Sequence, residues 1–377
     1  MMLSTNRPYI TIPKLIEQPT WGGSYIVGYK GWEHKTELSS KKYGQSYELS
    51  GKSLLRDKLF DSSDVSFDPE GSTSGDTVPL VDLIATNPER VLGPNVVATF
   101  HTMPILIKFT QALGNSFQLH RTPGASGEKW EPKAESWYFF EDGVLTLGIK
   151  KGIDIGRYKE VCLRIEAKMK QLSEKVRQGI AVLLQAKQEA MAFIKNEDPW
   201  QFVNTQRVAK HTLVDLSGGG LHHSWEEDPA SSLGNIIYEV QQDVPDDVST
   251  VRSFDQGKFK EDGSVRTIHI EDYFRLLDTE EKRNNFTSAQ RTPQGRHLLS
   301  TSYYSLDVLE IEKAMQESTG ASFNHLFVRE GAVEISTSEC SIKLTKGHSC
   351  FIPHDVRSYH LKSLAPTCIV LKTFIEV

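Results

Sequence analysis

The stretch of the chain richest in chemistry is Ser116–Phe117–Gln118–Leu119–His120. On an extended strand alternate side chains share a face, so Gln118 and His120 point one way while Phe117 and Leu119 point the other. Taken alone, a histidine there reads as a hydrogen-bonded core residue. Fifteen positions on stands Glu135, in the run Lys133–Ala134–Glu135–Ser136–Trp137–Tyr138–Phe139–Phe140, which is too apolar for a solvated face. A carboxylate buried in such a run needs a partner. One histidine, one glutamate and an amide oxygen form an incomplete ligand set for a first-row metal, and another imidazole would close it. His211, His222 and His223 are the candidates. The last two are adjacent, so only one of them can face inward on a strand, and the other is expected to be solvent-exposed or to support a ligand.

The elements that must position these groups are mostly short strands. Ser24–Tyr29, Ser46–Leu49, Ile105–Thr110, Ser116–His120, Ser136–Phe140 and Val144–Ile149 read as β segments broken by turns. Asp61–Thr77, rich in Ser, Asp and Gly, reads as a solvated loop. From Arg157 to Ile194 apolar residues recur at spacings of three and four, which predicts helix with a bend or break at Gly179 and an apolar stripe used for packing. Strands return at Phe202–Val208, Thr212–Leu216, Gly234–Gln241 and Val251–Phe254, with a turn at Gly218–Gly219–Gly220. A short helix is expected over Ile270–Asp278 and a linker over Glu280–Arg296. The remainder is again β: Tyr303–Ile311, Phe323–Val328, Ala332–Thr337, Ser341–Leu344, Ser349–Ile352 and Cys368–Phe374. The tight Glu330–Gly331 turn and the unit Lys346–Gly347–His348–Ser349–Cys350–Phe351–Ile352–Pro353 resemble the double-stranded barrel of the cupins.

The expected fold is therefore mainly β, with two cupin-type double-stranded, jelly-roll-like β-barrels and a helical insertion. Residues 1–156 and 200–279 are expected to form an N-terminal metal-binding barrel, 157–199 the helical insertion and 280–377 a C-terminal barrel. His348, His354 and His360 are spaced differently from the first set, so the C-terminal barrel is read as metal-free and structural.

Composition narrows the function classes. The 377 residues carry 43 basic and 49 acidic side chains and a formal charge of −6, which supplies no global field for nucleic acid or an anionic membrane surface. The 4 cysteines form no CxxC pair, which argues against a disulfide framework or zinc knuckle and for a reducing, cytoplasmic setting. Met1–Trp21 lacks the apolar core of a signal peptide, and no run approaches the roughly 20 apolar residues of a membrane span.

The ordered set of motifs resembles the type I mannose-6-phosphate isomerases, zinc enzymes of two cupin barrels with a helical insertion. The family's opening motif is similar to Pro19–Thr20–Trp21–Gly22–Gly23, and a following strand to Gly44–Gln45–Ser46–Tyr47–Glu48. Its apolar strand ending in lysine resembles Pro104–Ile105–Leu106–Ile107–Lys108. Its glutamine-any-histidine pair falls on Gln118 and His120, its glutamate motif on Lys133 to Tyr138, and its last ligand segment on Gly219–Gly220–Leu221–His222. Glu239–Val240–Gln241–Gln242 and Thr250–Val251–Arg252–Ser253–Phe254–Asp255 match two later motifs.

The resemblance implies one Zn(2+) per chain held by Gln118, His120, Glu135 and His222. It implies an aldose–ketose isomerase of carbohydrate metabolism, interconverting mannose 6-phosphate and fructose 6-phosphate through an enediol. Lys133 and Lys258 are then the catalytic candidates, Trp21 and Lys133 the substrate-binding ones, and a small-molecule sugar phosphate the partner of a monomer or homodimer. Three departures stand out. Lys258 replaces a family arginine, and the two are not equivalent where a planar fork is used. Arg121–Thr122–Pro123 follows the ligand histidine in place of acidic residues, and His223–Pro229 is longer and more acidic than its counterpart. They leave open an isomerase or binding protein for an unphosphorylated sugar, or a non-catalytic sugar-binding cupin.

Overall fold

Alternation of apolar and polar residues, together with a high content of valine, isoleucine and aromatics, drives most of this chain into strands. The computed structural model describes residues 3–56, 77–114, 116–123, 129–224, 232–291 and 295–376; apart from Thr77, the expected loop Asp61–Thr77 lies outside them. Among the described residues the strands form four sheets whose paired strands all run antiparallel.

The first barrel sets a seven-stranded sheet against a five-stranded one. The larger contains Glu135–Phe139, Asn235–Gln242, Ile105–Ala112 and Tyr43–Leu49 as successive neighbours, and the smaller runs Val203–Val208, Gly143–Ile149, Gly220–Ser224, Phe117–His120, Val251–Phe254. The second barrel sets an eight-stranded sheet, including Asn324–Glu330 and Ser349–Ile352, against a four-stranded one. The mainly β, two-barrel architecture read from the sequence is what the chain adopts. The strand Tyr9–Ile12 pairs with Ser349–Ile352, so the beginning of the chain is built into a sheet of the second barrel. An apolar layer joins the two barrels: Phe109 and Phe140 of the first meet Phe327 of the second at ring separations of 5.5 and 5.9 Å.

The predicted helix is two helices, Ile155–Arg177 and Leu183–Glu197. Asp154 caps the first by accepting from the Arg157 amide, and Gly179 at φ +72° ends it. Their stripe of Val161, Ile165, Met169, Leu172, Ala190 and Ile194 packs on Phe117, Leu119 and Leu221, the outer face of the five-stranded sheet. Burying such a stripe removes apolar area from water at about 25 cal/mol per Å².

Three local expectations are corrected. Ser24–Tyr29 is not a strand; Tyr25–Tyr29 is a short helix. Leu80–Thr86, Pro88–Leu92 and Pro94–Phe100 are helices in a region read as β, two of them opened by a proline whose fixed φ and missing N–H suit a first helical turn. The expected linker Glu280–Arg296 contains the short helix Phe286–Ala289 and the strand Gln290–Arg291, which extends the seven-stranded sheet.

Candidate metal centre

Register decides which side chains converge. Gly220, Leu221 and His222 pair with His120, Leu119 and Gln118 across adjacent strands. Leu119 and Leu221 therefore turn outward to the helices, while Gln118, His120 and His222 turn into the barrel. Gly219 (φ +77°) allows this approach, because a Cβ there would stand 2.7 Å from the His120 carbonyl oxygen. Glu135 enters from the opposing seven-stranded sheet. Its strand alternates Glu135, Trp137 and Phe139 inward with Ser136 and Tyr138 outward, toward the second barrel.

The Nε2 atoms of His120 and His222 stand 3.0 and 2.8 Å from the two different oxygens of Glu135. All three residues are buried, and among the described residues this is the single group of three or more His, Cys, Asp or Glu side chains with ligand atoms within 4.8 Å of one another. The rings are held from behind: His120 Nδ1 lies 2.9 Å from the Ser249 carbonyl oxygen and His222 Nδ1 3.1 Å from that of Gly220. A carbonyl can only accept, so Nδ1 carries the proton in each, and in a neutral ring the Nε2 lone pair then faces the carboxylate. Burial holds the His120 ring below its ordinary titration range, against the pull of Glu135. Burial would raise the Glu135 carboxyl, whereas the His222 and His120 rings, when protonated, draw it well below its usual range; with both rings neutral that attraction is gone. Two lone pairs pointed at an ionised carboxylate, whose Oε1 accepts no hydrogen bond, form a nest of acceptors with no proton between them. A divalent cation resolves that conflict, and a backbone-anchored imidazole is the support metal-ligating histidines ordinarily have. The residues present therefore fit a metal.

Gln118 stands beside them, its Nε2 3.5 Å from His222 Nε2. Oxygen and nitrogen of an amide exchange by rotation of the terminal group, and that rotation turns its oxygen toward the cluster. Trp137 stacks edge-on against His222 at 5.4 Å. Of the two places expected for His223, the solvent-exposed one is excluded: it is fully buried, its ring 3.9 Å from that of Phe117, with Thr146 Oγ1 3.3 Å from Nε2. His211 lies elsewhere, stacked on the outer face of Tyr138.

A cavity of about 220 Å³ opens beside the cluster, with Gln118, Glu135, Lys133 and Trp21 in its wall. Lys133 Nζ, nearly fully buried, is 2.8 Å from Asp246 Oδ1 and 3.9 Å from Glu135 Oε2. Trp21 packs over Gly44, where a Cβ would stand 2.4 Å from the ring. Lys258 is not in this wall: its Nζ donates to the Gly114 carbonyl at 2.7 Å, and its side chain lines a neighbouring cavity of about 250 Å³. The wall instead holds charges not expected there as site residues: Lys108, Glu239, Asp246, Arg252 and Arg266. Lys108 and Glu239 face each other in register, 3.2 Å apart, and Lys108 also donates to Gln241 at 2.6 Å. Burial works against the Lys108 charge, but Glu239 and Asp246 hold it above the usual lysine range. A lysine inside Ile105–Ala112 and a glutamate inside Asn235–Gln242, both otherwise largely apolar, were the available signals.

Comparison with known proteins bears on the fold. Residues 295–371 match the family model described as mannose-6-phosphate isomerase, cupin domain. No curated protein matches the chain in sequence. Among solved structures, the mannose 6-phosphate isomerase of Bacillus subtilis superposes with a TM-score of 0.66 at 17% identity, covering 98% of this chain and 99% of that one. A putative mannosephosphate isomerase of Archaeoglobus fulgidus gives the same values. A zinc-bound mannose 6-phosphate isomerase gives 0.66 at 14% identity, covering 98% and 100%. The resemblance to the mannose-6-phosphate isomerases thus holds in the fold of the whole chain and in the sequence of its C-terminal barrel. No described helix is long and apolar enough to cross a membrane.

Proposed function

We propose that the protein is a metal-dependent aldose–ketose isomerase acting on a sugar phosphate, with interconversion of mannose 6-phosphate and fructose 6-phosphate through an enediol as the leading reaction. The observation that carries this reading is the convergence of the His120, Glu135 and His222 acceptors near Lys133, beside a cavity of the first barrel. His120, Glu135, His222 and Gln118 would hold one divalent ion, with zinc favoured by the N/O ligand set and by the zinc-bound relative. Bound there, the ion would supply Lewis-acid stabilisation to the sugar oxygens that gain negative charge.

The chain's own groups do the rest. Lys133 Nζ, steered by Asp246, donates hydrogen bonds to the oxygen on which charge develops. Trp21 forms a wall for the sugar ring. Lys108, Lys133, Arg252 and Arg266 outnumber the carboxylates Glu135, Glu239 and Asp246 in the wall, and a bound divalent ion adds to that excess, which favours a phosphorylated over a neutral sugar. Lys258 is assigned an indirect part, through the Gly114 carbonyl it holds two residues before Ser116.

An isomerase assay of the zinc-loaded chain with mannose 6-phosphate and with mannose tests the reading. Turnover of the phosphate alone, falling about 100-fold in Lys133→Met with zinc retained, is expected. Turnover of mannose alone would transfer the function to an unphosphorylated sugar. Absence of turnover with either, in protein holding stoichiometric zinc, would leave a sugar-binding cupin.

A further inference from the structure

A second cavity, of about 500 Å³, lies on the opposite side of the strand that carries Glu135, between the two barrels. Tyr138, His211, Arg296 and Arg329 line it, with Glu310 at an exposed strand end. Arg329 belongs to the strand Asn324–Glu330. Its neighbours Leu326 and Val328 face the interior of the second barrel, while Phe327 and Arg329 face the first. It is only 9% exposed. One terminal nitrogen of its guanidinium donates to the Tyr138 hydroxyl, its Nε has no hydrogen-bond partner, and among the described residues no carboxylate forms an ion pair with it. Arg296, by contrast, is paired with Asp307 and Glu317. A buried guanidinium left without an anion is unfavourable, and its flat fork is shaped for two oxygens of one group. His211, 6.1 Å from the Tyr138 ring, is held below its usual titration range by burial and then by the charges of Arg329 and Lys210, against the opposing pull of Glu141 and Glu330.

We propose that this cavity binds the oxyanion group, phosphate or carboxylate, of a small hydroxylated metabolite. The Arg329 fork and the Tyr138 hydroxyl grip the anion, and Glu310 accepts hydrogen bonds from hydroxyls on the body of the ligand. The site is separate from the metal cluster and does not depend on the isomerase reading, because Tyr138 and Glu135 point to opposite faces of one strand.

The metal-loaded full chain is titrated with inorganic phosphate and, separately, with acetate, following the His211 ring signals by NMR and the heat by calorimetry. The proposal expects saturable movement of the His211 signals with one of the anions or both, phosphate alone identifying a phosphoryl site and acetate a carboxylate site. Binding should weaken about tenfold in Arg329→Lys, disappear in Arg329→Met and persist in Arg252→Met, whose guanidinium lines the other cavity. Unmoved His211 signals with both anions in the native chain, or movement that survives in Arg329→Met, would overturn it. If Arg329→Met does not fold, the Arg329→Lys titration carries the test, and unchanged affinity there overturns the proposal.

Discussion

The two barrels share a strand rhythm and differ in what they enclose. Between its sheets the second buries Leu326, Val328, Val333, Ile335, Leu344 and Leu361, and the charges it buries are paired: Lys372 with Glu317 at 2.8 Å, and Asp307 and Glu317 with Arg296. The first keeps an apolar floor of Trp137, Phe139, Leu145 and Leu147, but above it buries His120, His222, Glu135, Lys108 and Glu239. A packed interior stabilises by removing area from water, whereas buried charge costs free energy unless it is paired. The same contrast separates two buried glutamates. Glu48, at the junction of the barrels, is fully answered: Lys30 and Ser46 donate to one oxygen and Ser349 to the other, at 2.6 to 3.1 Å. Glu135 meets two imidazole lone pairs and keeps an oxygen without a hydrogen bond. Structural carboxylates are saturated by donors; this one is left for a cation.

That difference can be broken in four ways. Glu48→Gln strands the Lys30 ammonium and should cost about 4 kcal/mol, read as a large fall in Tm with metal content unchanged; metal loss at full stability would erase the distinction between the two glutamates. Leu326→Ala, in the second barrel, should cost about 3 kcal/mol in denaturant unfolding while turnover per folded molecule stays the same. A change in turnover would give the second barrel a part in the chemistry.

The third concerns His325, buried between the barrels with its Nδ1 3.1 Å from the Tyr238 hydroxyl. Burial depresses its pKa to about 3. Its folded value lies below the unfolded one near 6.5, so the unfolded chain takes up the proton first, and stability present above pH 6.5 is lost as pH falls toward 3. Between pH 7 and pH 5 the loss attributable to this ring is about 2 kcal/mol. His325→Asn should flatten that part of the stability curve, and an unaltered slope would show that other groups set it. The smallest effect expected is that of Lys258→Met, about threefold in turnover, because its ammonium lies outside the metal cavity; a loss matching that of Lys133→Met would put it among the reacting groups.

The elements legible in the sequence were those with strong periodicity. The paired helices and their break at Gly179 followed from spacing, and the inward face of Gln118 and His120 followed from alternation. Short helices escaped because Tyr25–Tyr29 is only five residues, rich in the aromatic and β-branched types that suit strands equally. The helix starts at Pro88 and Pro94 carried a readable signal, with Asn87 capping the first. Within the site, the cluster of His120, Glu135 and His222 was accessible through motif order. The charges around it were not, because Lys108, Glu239, Asp246, Arg252 and Arg266 come together only when the register of both sheets is known. Lys258 failed to reach the cavity for the same reason: its place is fixed by the loop after Val251–Phe254, which sequence does not orient.

Zinc titration of chelator-stripped protein, comparing the native chain with Glu135→Gln by elemental analysis and calorimetry, tests the central claim most directly. The account predicts one ion per native chain and an affinity weakened at least about 100-fold in the variant, with the fold retained. A native chain that takes up no divalent ion, or a variant that binds zinc as tightly as the native chain, would contradict it.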